Sequence, residues 1–245
     1  MPSGGPMERP PRSLATLVLL GSIAALVFFA LVALGVWQVE RRAWKHALIA
    51  QIDARLHAAP VAAPGPAVWP AITAADAYRR VEIDGAYEPG REVFVKAVTA
   101  RGAGYWAISP LRSTRGFTVL VNRGFMAARA APAPTGPVHV TGLLRVSEPG
   151  GGFLRSNDPA HDHWYSRDVA AIAHAKHLGV VAPYFVDADA ASSQRGGPVG
   201  GLTVVTFSDN HFVYAVTWFG LAILLLIGVR VAVREELRAR RAAPR

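Results

Sequence analysis

Two long apolar stretches of this chain carry neither a charged side chain nor a proline: residues 13–39 and residues 210–229. A helix needs about 20 apolar residues to cross about 30 Å of hydrocarbon, and both runs reach that length. No other feature restricts the fold as much. The first run is nearly all Leu, Val, Ala, Phe and Ile over 14–36 and passes into Trp37-Gln38-Val39-Glu40-Arg41-Arg42. A cleavable signal peptide has an apolar core of about 7–15 residues before a small-residue cleavage site, so this run reads as an uncleaved anchor. In the second run, Asp209 and Asn210 can cap the first turn. Arg230 and Arg234 close its far end, where cations suit the helix dipole.

The flanking cations set an expected orientation. The tails hold eight (Arg9, Arg12, Arg230, Arg234, Arg238, Arg240, Arg241, Arg245) and the intervening segment near the runs holds five (Arg41, Arg42, Lys45, Arg55, Arg195). With two spans both tails share a side, expected to be the cytoplasm. The predicted organisation is a cytoplasmic tail (1–13), a first span (14–37), an outer domain (38–209), a second span (210–229) and a basic cytoplasmic tail (230–245), a multi-pass protein of a cell or inner membrane. The net charge of +9 is then topological. Tail arginines lie where anionic membrane lipid is, each worth about 1 kcal/mol there, and no nucleic-acid partner is expected. The chain has no cysteine, which removes disulfides, thiolate metal sites, iron–sulfur clusters and covalent haem attachment.

The outer segment is long enough for one domain with its own core. Trp44, Leu48, Ile52 and Leu56 recur every four residues, so the first helix is expected to continue outward. Pro60, Pro64, Pro66 and Pro70 predict a non-helical linker after it. Strand-like runs follow at 79–87, 92–98, 104–111, 117–122, 138–146, 184–186 and 202–207, with 117–122 the most apolar and so central. One helix is expected, with Ser166 as N-cap, Asp168 in the first turn, 169–172 inside and Gly179 past its end. The predicted fold class is a membrane protein of two transmembrane helices flanking an α+β domain with an antiparallel, curved or barrel-like sheet.

Catalytic candidates are few. The nucleophile elbow, zincin and Walker motifs are all missing, and Gly150-Gly151-Gly152 reads as a turn rather than a phosphate cradle. His161-Asp162-His163, with His174 and His177 on the expected helix, is a fragment of a metal site at most. His211 stands apart. An ionisable group at the start of a span is costly and a functional candidate. The positive end of the helix dipole favours its neutral imidazole, the form that ligates metals. Tyr214 and Trp218 follow at helical spacing, and Trp218 lies about 10 Å further along the axis. The face they form suits a flat apolar macrocycle with iron on the imidazole. On periodicity alone it suits better aromatics packed on the first anchor, with His211 reaching to the interface.

At this point the residues resemble a known family. Gly35-Val36-Trp37-Gln38 with Arg41 and Lys45, Gly85-x-Tyr87-x-Pro89-Gly90-Arg91-Glu92 and Asn122-Arg123-Gly124-Phe125 come first. Gly142-x-Leu144-Arg145, Glu148-Pro149-Gly150, Asn157-Asp158-Pro159, Trp164-Tyr165-x-Arg167-Asp168 and Pro183-Tyr184-Phe185 follow in order. Gly200-Gly201-x-Thr203, Asn210-His211, Tyr214 and Thr217-Trp218-Phe219-Gly220 close the series. Together they are similar to the surfeit locus protein 1 (Shy-type) family. Asp209 stands where that family usually has Asn, and His163 where Arg is expected.

The resemblance implies a non-enzymatic assembly factor for a haem–copper cytochrome c oxidase. Such a factor helps haem a into the catalytic subunit I or stabilises that subunit, with haem a synthase as a further candidate partner. It implies His211 as the ligand of haem iron, beside Tyr214 and Trp218, with haem a bound transiently and non-covalently. Candidate partner-binding residues are Trp37, Arg41 and Lys45 at the anchor exit and Trp164, Tyr165 and Arg167 before the outer helix. For Trp164 and Tyr165 a place in the core is the competing reading. The competing reading of the whole is a scaffold that holds subunit I by protein contacts without binding haem.

Overall fold

A computed structural model describes residues 12–130, 133–152, 154–193, 196–203 and 209–242. The chain divides into a helix-pair unit, Met1–Ile49 with Phe207–Arg245, and a β-rich unit, Ala50–Thr206.

The helix-pair unit is built from α1 (Leu14–His57), whose last turns belong to the other unit, and α3 (His211–Ala242). Both are long and apolar enough to cross a membrane. At 44 residues α1 is about 66 Å long, so it outruns a bilayer core at 1.5 Å per residue. The helical continuation expected from Trp44 to Leu56 is present. Within it Ile52 is buried, whereas Trp44 and Leu48 are exposed and Trp44 is covered by the Arg41 guanidinium at 4.1 Å. The two helices meet through small residues. Ala215 and Ala222 are buried, and a Cβ on Gly35 would lie 2.6 Å from the Phe219 ring. Close approach of this kind replaces the hydrophobic drive that lipid does not supply. At the other end of the pair, Glu236 accepts from the Arg12 amide at 3.1 Å, and Arg240 donates to the Arg12 carbonyl at 3.0 Å.

The β-rich unit contains β1 (Val61–Ala62), β2 (Arg80–Tyr87), β3 (Val93–Thr99), β4 (Gly102–Ser113), β5 (Thr118–Met126), β6 (Pro137–Val146) and β7 (Val181–Ala188), with α2 (Val169–Ala175) between the last two. Hydrogen bonding runs β2-β6-β7-β5-β4, and β2 pairs again with β4 through Gly85–Tyr87 against Leu111–Ser113. Five strands therefore close into a barrel, with β3 added to β4 and β1 to β2. The barrel is mixed rather than wholly antiparallel: β5 and β7 run parallel, as do β1 and β2. A parallel neighbour needs a long crossover, which β6 and α2 supply.

Side chains alternate across each strand and fill two cores. The barrel interior holds Val81, Ile83, Leu111, Val119, Val121, Val140, Leu144, Tyr184 and Val186. The second core lies on the other face, where Val93, Val95, Ile108, Leu120 and Phe185 meet Trp164 and Val169 and Ile172 of α2. Every residue from Thr118 to Phe125 is buried, so β5 is the central strand that its apolarity predicts.

Several local expectations change. The proline segment is not free of helix, because Pro66–Ala71 forms a 3-10 helix with proline at its start. That position needs no amide donor. Asp168, not Ser166, caps α2, accepting from the Ala171 amide at 3.1 Å. Ser166 is buried, and its hydroxyl accepts from the Gly151 amide and from Asn157, both at 3.0 Å. The helix ends at Ala175, so His177, in left-handed conformation beyond it, shares no helical face with His174. The two-residue β1 is not foreseen. Of the strand expected at 202–207, Leu202 and Thr203 are irregular and the rest lies outside the described residues.

Candidate functional site

The polar cluster of the helix pair begins with a stripe on α1. Gln38, Arg42 and His46 are spaced by four and so lie on one side of the helix. Across from them, Asp209 precedes α3 and His211 opens it. Oδ1 of Asp209 accepts from the His211 amide at 3.1 Å, satisfying one of the donors that a helix start leaves unpaired. Oδ2 of the same carboxylate accepts from Nε2 of His46 at 2.7 Å and Nε of Arg42 at 3.2 Å. The His46 hydrogen bond, then those from the His211 amide and Arg42, outweigh partial burial and hold the Asp209 carboxyl down to about 2. The Arg42 guanidinium also lies over the Phe212 ring, 5.3 Å from its centre.

The imidazole of His211 turns toward α1. Its Nδ1 donates to Oε1 of Gln38 at 2.8 Å, and Gln38 is only 8% exposed. Nε2 meets no hydrogen-bond partner among the described residues. Trp218 lies seven residues on, on nearly the same face of α3. It is half-buried, and its indole Nε1 is buried without a partner among the described residues. Tyr214 is on the flank, 53% exposed. His211 and Trp218 thus share a face while Tyr214 points aside. In the sequence Gln38 stands only as part of a motif, and His46 is not among the expected site residues. The spacing of four that runs through Arg42 is the signal that could have found both.

The other candidate residues lie elsewhere. Trp37 is exposed and Lys45 half-buried on α1. Trp164 is a correction: at 1% exposed it is a core residue of the β-rich unit, its Nε1 donating to Asp162 at 2.9 Å. Tyr165 stays partly at the surface, with Lys96 and Arg155 over its ring at 5.1 and 5.4 Å. Arg167 is tied to Glu148 at 2.7 Å and to Asp187 at 3.2 Å. His161 is bonded to Asp158 at 2.7 Å. Among the described residues no three His, Asp or Glu side chains converge as a metal site would need.

The SURF1 family model matches residues 25–223, a span that takes in Gln38, all seven strands, Asp209 and His211. The chain belongs to the SURF1 family. It is 36% identical to Surfeit locus protein 1 of Mus musculus over 211 residues, covering 77% of this chain and 67% of the relative. Surfeit locus protein 1 of Takifugu rubripes is 34% identical over 212 residues, 77% of this chain and 86% of that protein. A SURF1-like protein of Caenorhabditis elegans is 27% identical over 223 residues, with 80% and 68% covered. In this SURF1-family chain the shared region takes in the closed barrel, most of α1 and the start of α3, up to residue 223.

Proposed function

We propose that this chain is a membrane-anchored assembly factor for a haem–copper cytochrome c oxidase, and that it assists haem a into the catalytic subunit I. SURF1-family members are known as cytochrome c oxidase assembly factors. The proposal places both termini in the cytoplasm of a bacterial cell and the barrel outside its inner membrane, following the excess of cations in the tails.

The observation that carries the haem reading is the state of His211: Nδ1 is engaged by Gln38, and Nε2, at the start of an apolar helix, has no hydrogen-bond partner among the described residues. The donor set fits a haem: a single imidazole nitrogen for iron, aromatic side chains beside it and no competing thiolate. The haem, when bound, supplies an iron coordination position and a broad apolar face. His211 offers the nitrogen, and Trp218 offers an apolar wall with one buried N–H unpaired among the described residues. Arg41, Arg42 and Lys45 place cations at the outer end, where carboxylate substituents of the macrocycle would lie. The role is one of holding and handing over rather than of catalysis.

The test is to purify the chain from cells making haem a and record spectra of wild type and His211→Ala. Loss of the haem bands in the variant is expected; equal haem in both removes His211. Carbonate extraction and a reporter fused after Arg245 test the topology, and an externally placed reporter overturns it.

A scaffold reading has its own support in exposed features of the β-rich unit. Val98 is 87% exposed and Leu154 89%, and Tyr165 is flanked by two cations. With Trp164 in the core, Tyr165 is the surface residue left of the expected aromatic pair. Site-specific cross-linking from position 98 that reaches subunit I would favour this reading; its failure to reach any oxidase subunit would count against it.

A further inference from the structure

We infer that Gln38 is the positioning residue that fixes the His211 imidazole as its Nδ1–H tautomer, so that Nε2 is the nitrogen left to bind. The inference deepens the haem reading and rests on it for its purpose, though the tautomer itself can be observed without haem.

The hydrogen-bond inventory carries the argument. An amide carbonyl oxygen only accepts, so at 2.8 Å from Oε1 of Gln38 the proton sits on Nδ1 of His211. In the neutral ring Nε2 then carries the lone pair, and it has no hydrogen-bond partner among the described residues. Left alone in water, a neutral imidazole with an alkyl substituent favours the opposite tautomer, with its proton on Nε2. The protein therefore has to impose the arrangement, and one side chain does so. Ligating histidines commonly donate their second N–H to a carboxylate or carbonyl, which sets ring orientation and basicity. Gln38 occupies that place.

The geometry leaves the ring little choice. Gln38 follows Gly35 by one turn of α1, and the missing side chain at Gly35 lets Phe219 of α3 approach to within contact. That approach brings the amide of Gln38 to the first turn of α3, where it is buried. From the other direction Asp209, held by His46 and Arg42, fixes the His211 backbone through its amide. A buried amide of this kind needs a partner, so Gln38 and His211 satisfy each other. Gln38 therefore acts through the imidazole, by its hydrogen bond to Nδ1.

The experiment uses the full chain in lipid nanodiscs, labelled with 15N-histidine, with the His211 signals assigned by difference from His211→Ala. In wild type, Nδ1 is expected to give the protonated signal and Nε2 the lone-pair signal. Gln38→Leu is expected to reverse the pair. Gln38→Glu keeps an acceptor and is expected to restore it, which separates the hydrogen bond from packing. Haem affinity, titrated on the same samples, is expected to fall about 10- to 100-fold in Gln38→Leu. An Nε2–H tautomer in wild type, or no change in Gln38→Leu, overturns the inference. If wild type takes up no haem while the tautomer still follows Gln38, the haem reading fails and the positioning role stands.

Discussion

Asn122 and Asp187 stand opposite each other across the parallel pairing of β5 with β7, and Nδ2 of Asn122 donates to Oδ1 of Asp187 at 2.7 Å. The carboxylate is 3% exposed and also accepts from Arg145 at 2.9 Å, Arg167 at 3.2 Å and Thr203 at 2.9 Å. Glu148 binds the same two guanidinium groups. Both arginines also stack on the Phe185 ring, at 5.9 and 4.8 Å. One buried anion thus joins three strands, β5, β6 and β7, and the approach to α2.

Removing that anion leaves two poorly hydrated cations to share Glu148. Asp187→Ala is expected to destabilise the β-rich unit by up to about 3–5 kcal/mol, the cost of stranding one side of a buried ion pair, less what Glu148 retains. Asp187→Asn keeps the shape and some hydrogen bonds, so a smaller loss is expected. Chemical denaturation of the full chain in detergent, followed by near-UV circular dichroism, measures both. A loss below about 1 kcal/mol for Asp187→Ala would put the network in the class of surface pairs.

Trp164 and Trp37 make an opposed pair. Trp164 fills the second core at 1% exposed, while Trp37 on α1 is 53% exposed. Trp164→Ala is expected to cost about 3–5 kcal/mol, the usual penalty for an unfilled aromatic site. Trp37→Ala is expected to leave the melting of the β-rich unit unchanged. Thermal denaturation of the two variants decides it, and equal melting temperatures would return Trp164 to the surface.

What the sequence shows and what it hides follow from the range of the interactions. The helices are legible because a charge-free run is a local property: α1 begins at Leu14 and α3 at His211, at the edges of the two runs. The centrality of β5 is legible from its apolar composition. Barrel closure is not, because Gly85 and Ser113 are distant in sequence and nothing local marks their pairing. The same holds for Gln38 and His211, 173 residues apart. The shift of the α2 cap from Ser166 to Asp168 has another cause. Both side chains can cap, and Ser166 is drawn off by the Gly151 amide and Asn157.

Gly124 is expected to tolerate no side chain. Its φ is +126°, and a Cβ there would lie 2.2 Å from the Val199 carbonyl. Phe125 and Val199 exchange both backbone hydrogen bonds beside it, at 2.9 and 3.0 Å, so neither segment can yield cheaply. Gly124→Ala is expected to cost about 3 kcal/mol or more, from strained backbone and forced displacement together. Gly90, with φ +79° and open space around it, is the control. Gly90→Ala is expected to cost about 1 kcal/mol. Denaturation midpoints of the two variants should therefore separate clearly, and overlapping values would show that the Val199 segment moves aside.

Tyr87 makes the β-rich unit sensitive to alkali. It closes β2 at 9% exposed, with the Arg123 guanidinium 5.4 Å from its ring centre. Burial pushes its phenol from the ordinary 10.0 up to about 12, and Arg123 only partly opposes this. Burial penalises the phenolate, so the unfolded chain releases this proton first and the folded chain later. Between those values the unfolded state binds fewer protons, and stability falls as pH rises. The contribution is complete below pH 10 and is lost as pH rises toward about 12. Its full size is about 3 kcal/mol, from about 1.4 kcal/mol for each tenfold change in the ionisation equilibrium. Tyr184, fully buried and donating to the Pro64 carbonyl at 2.7 Å, is raised in the same direction and adds to the slope. Denaturation midpoints measured from pH 9 to 12 should fall more steeply for wild type than for Tyr87→Phe, which has no phenol to ionise. Parallel slopes would mean that Tyr87 ionises as freely in the folded chain as in the unfolded one.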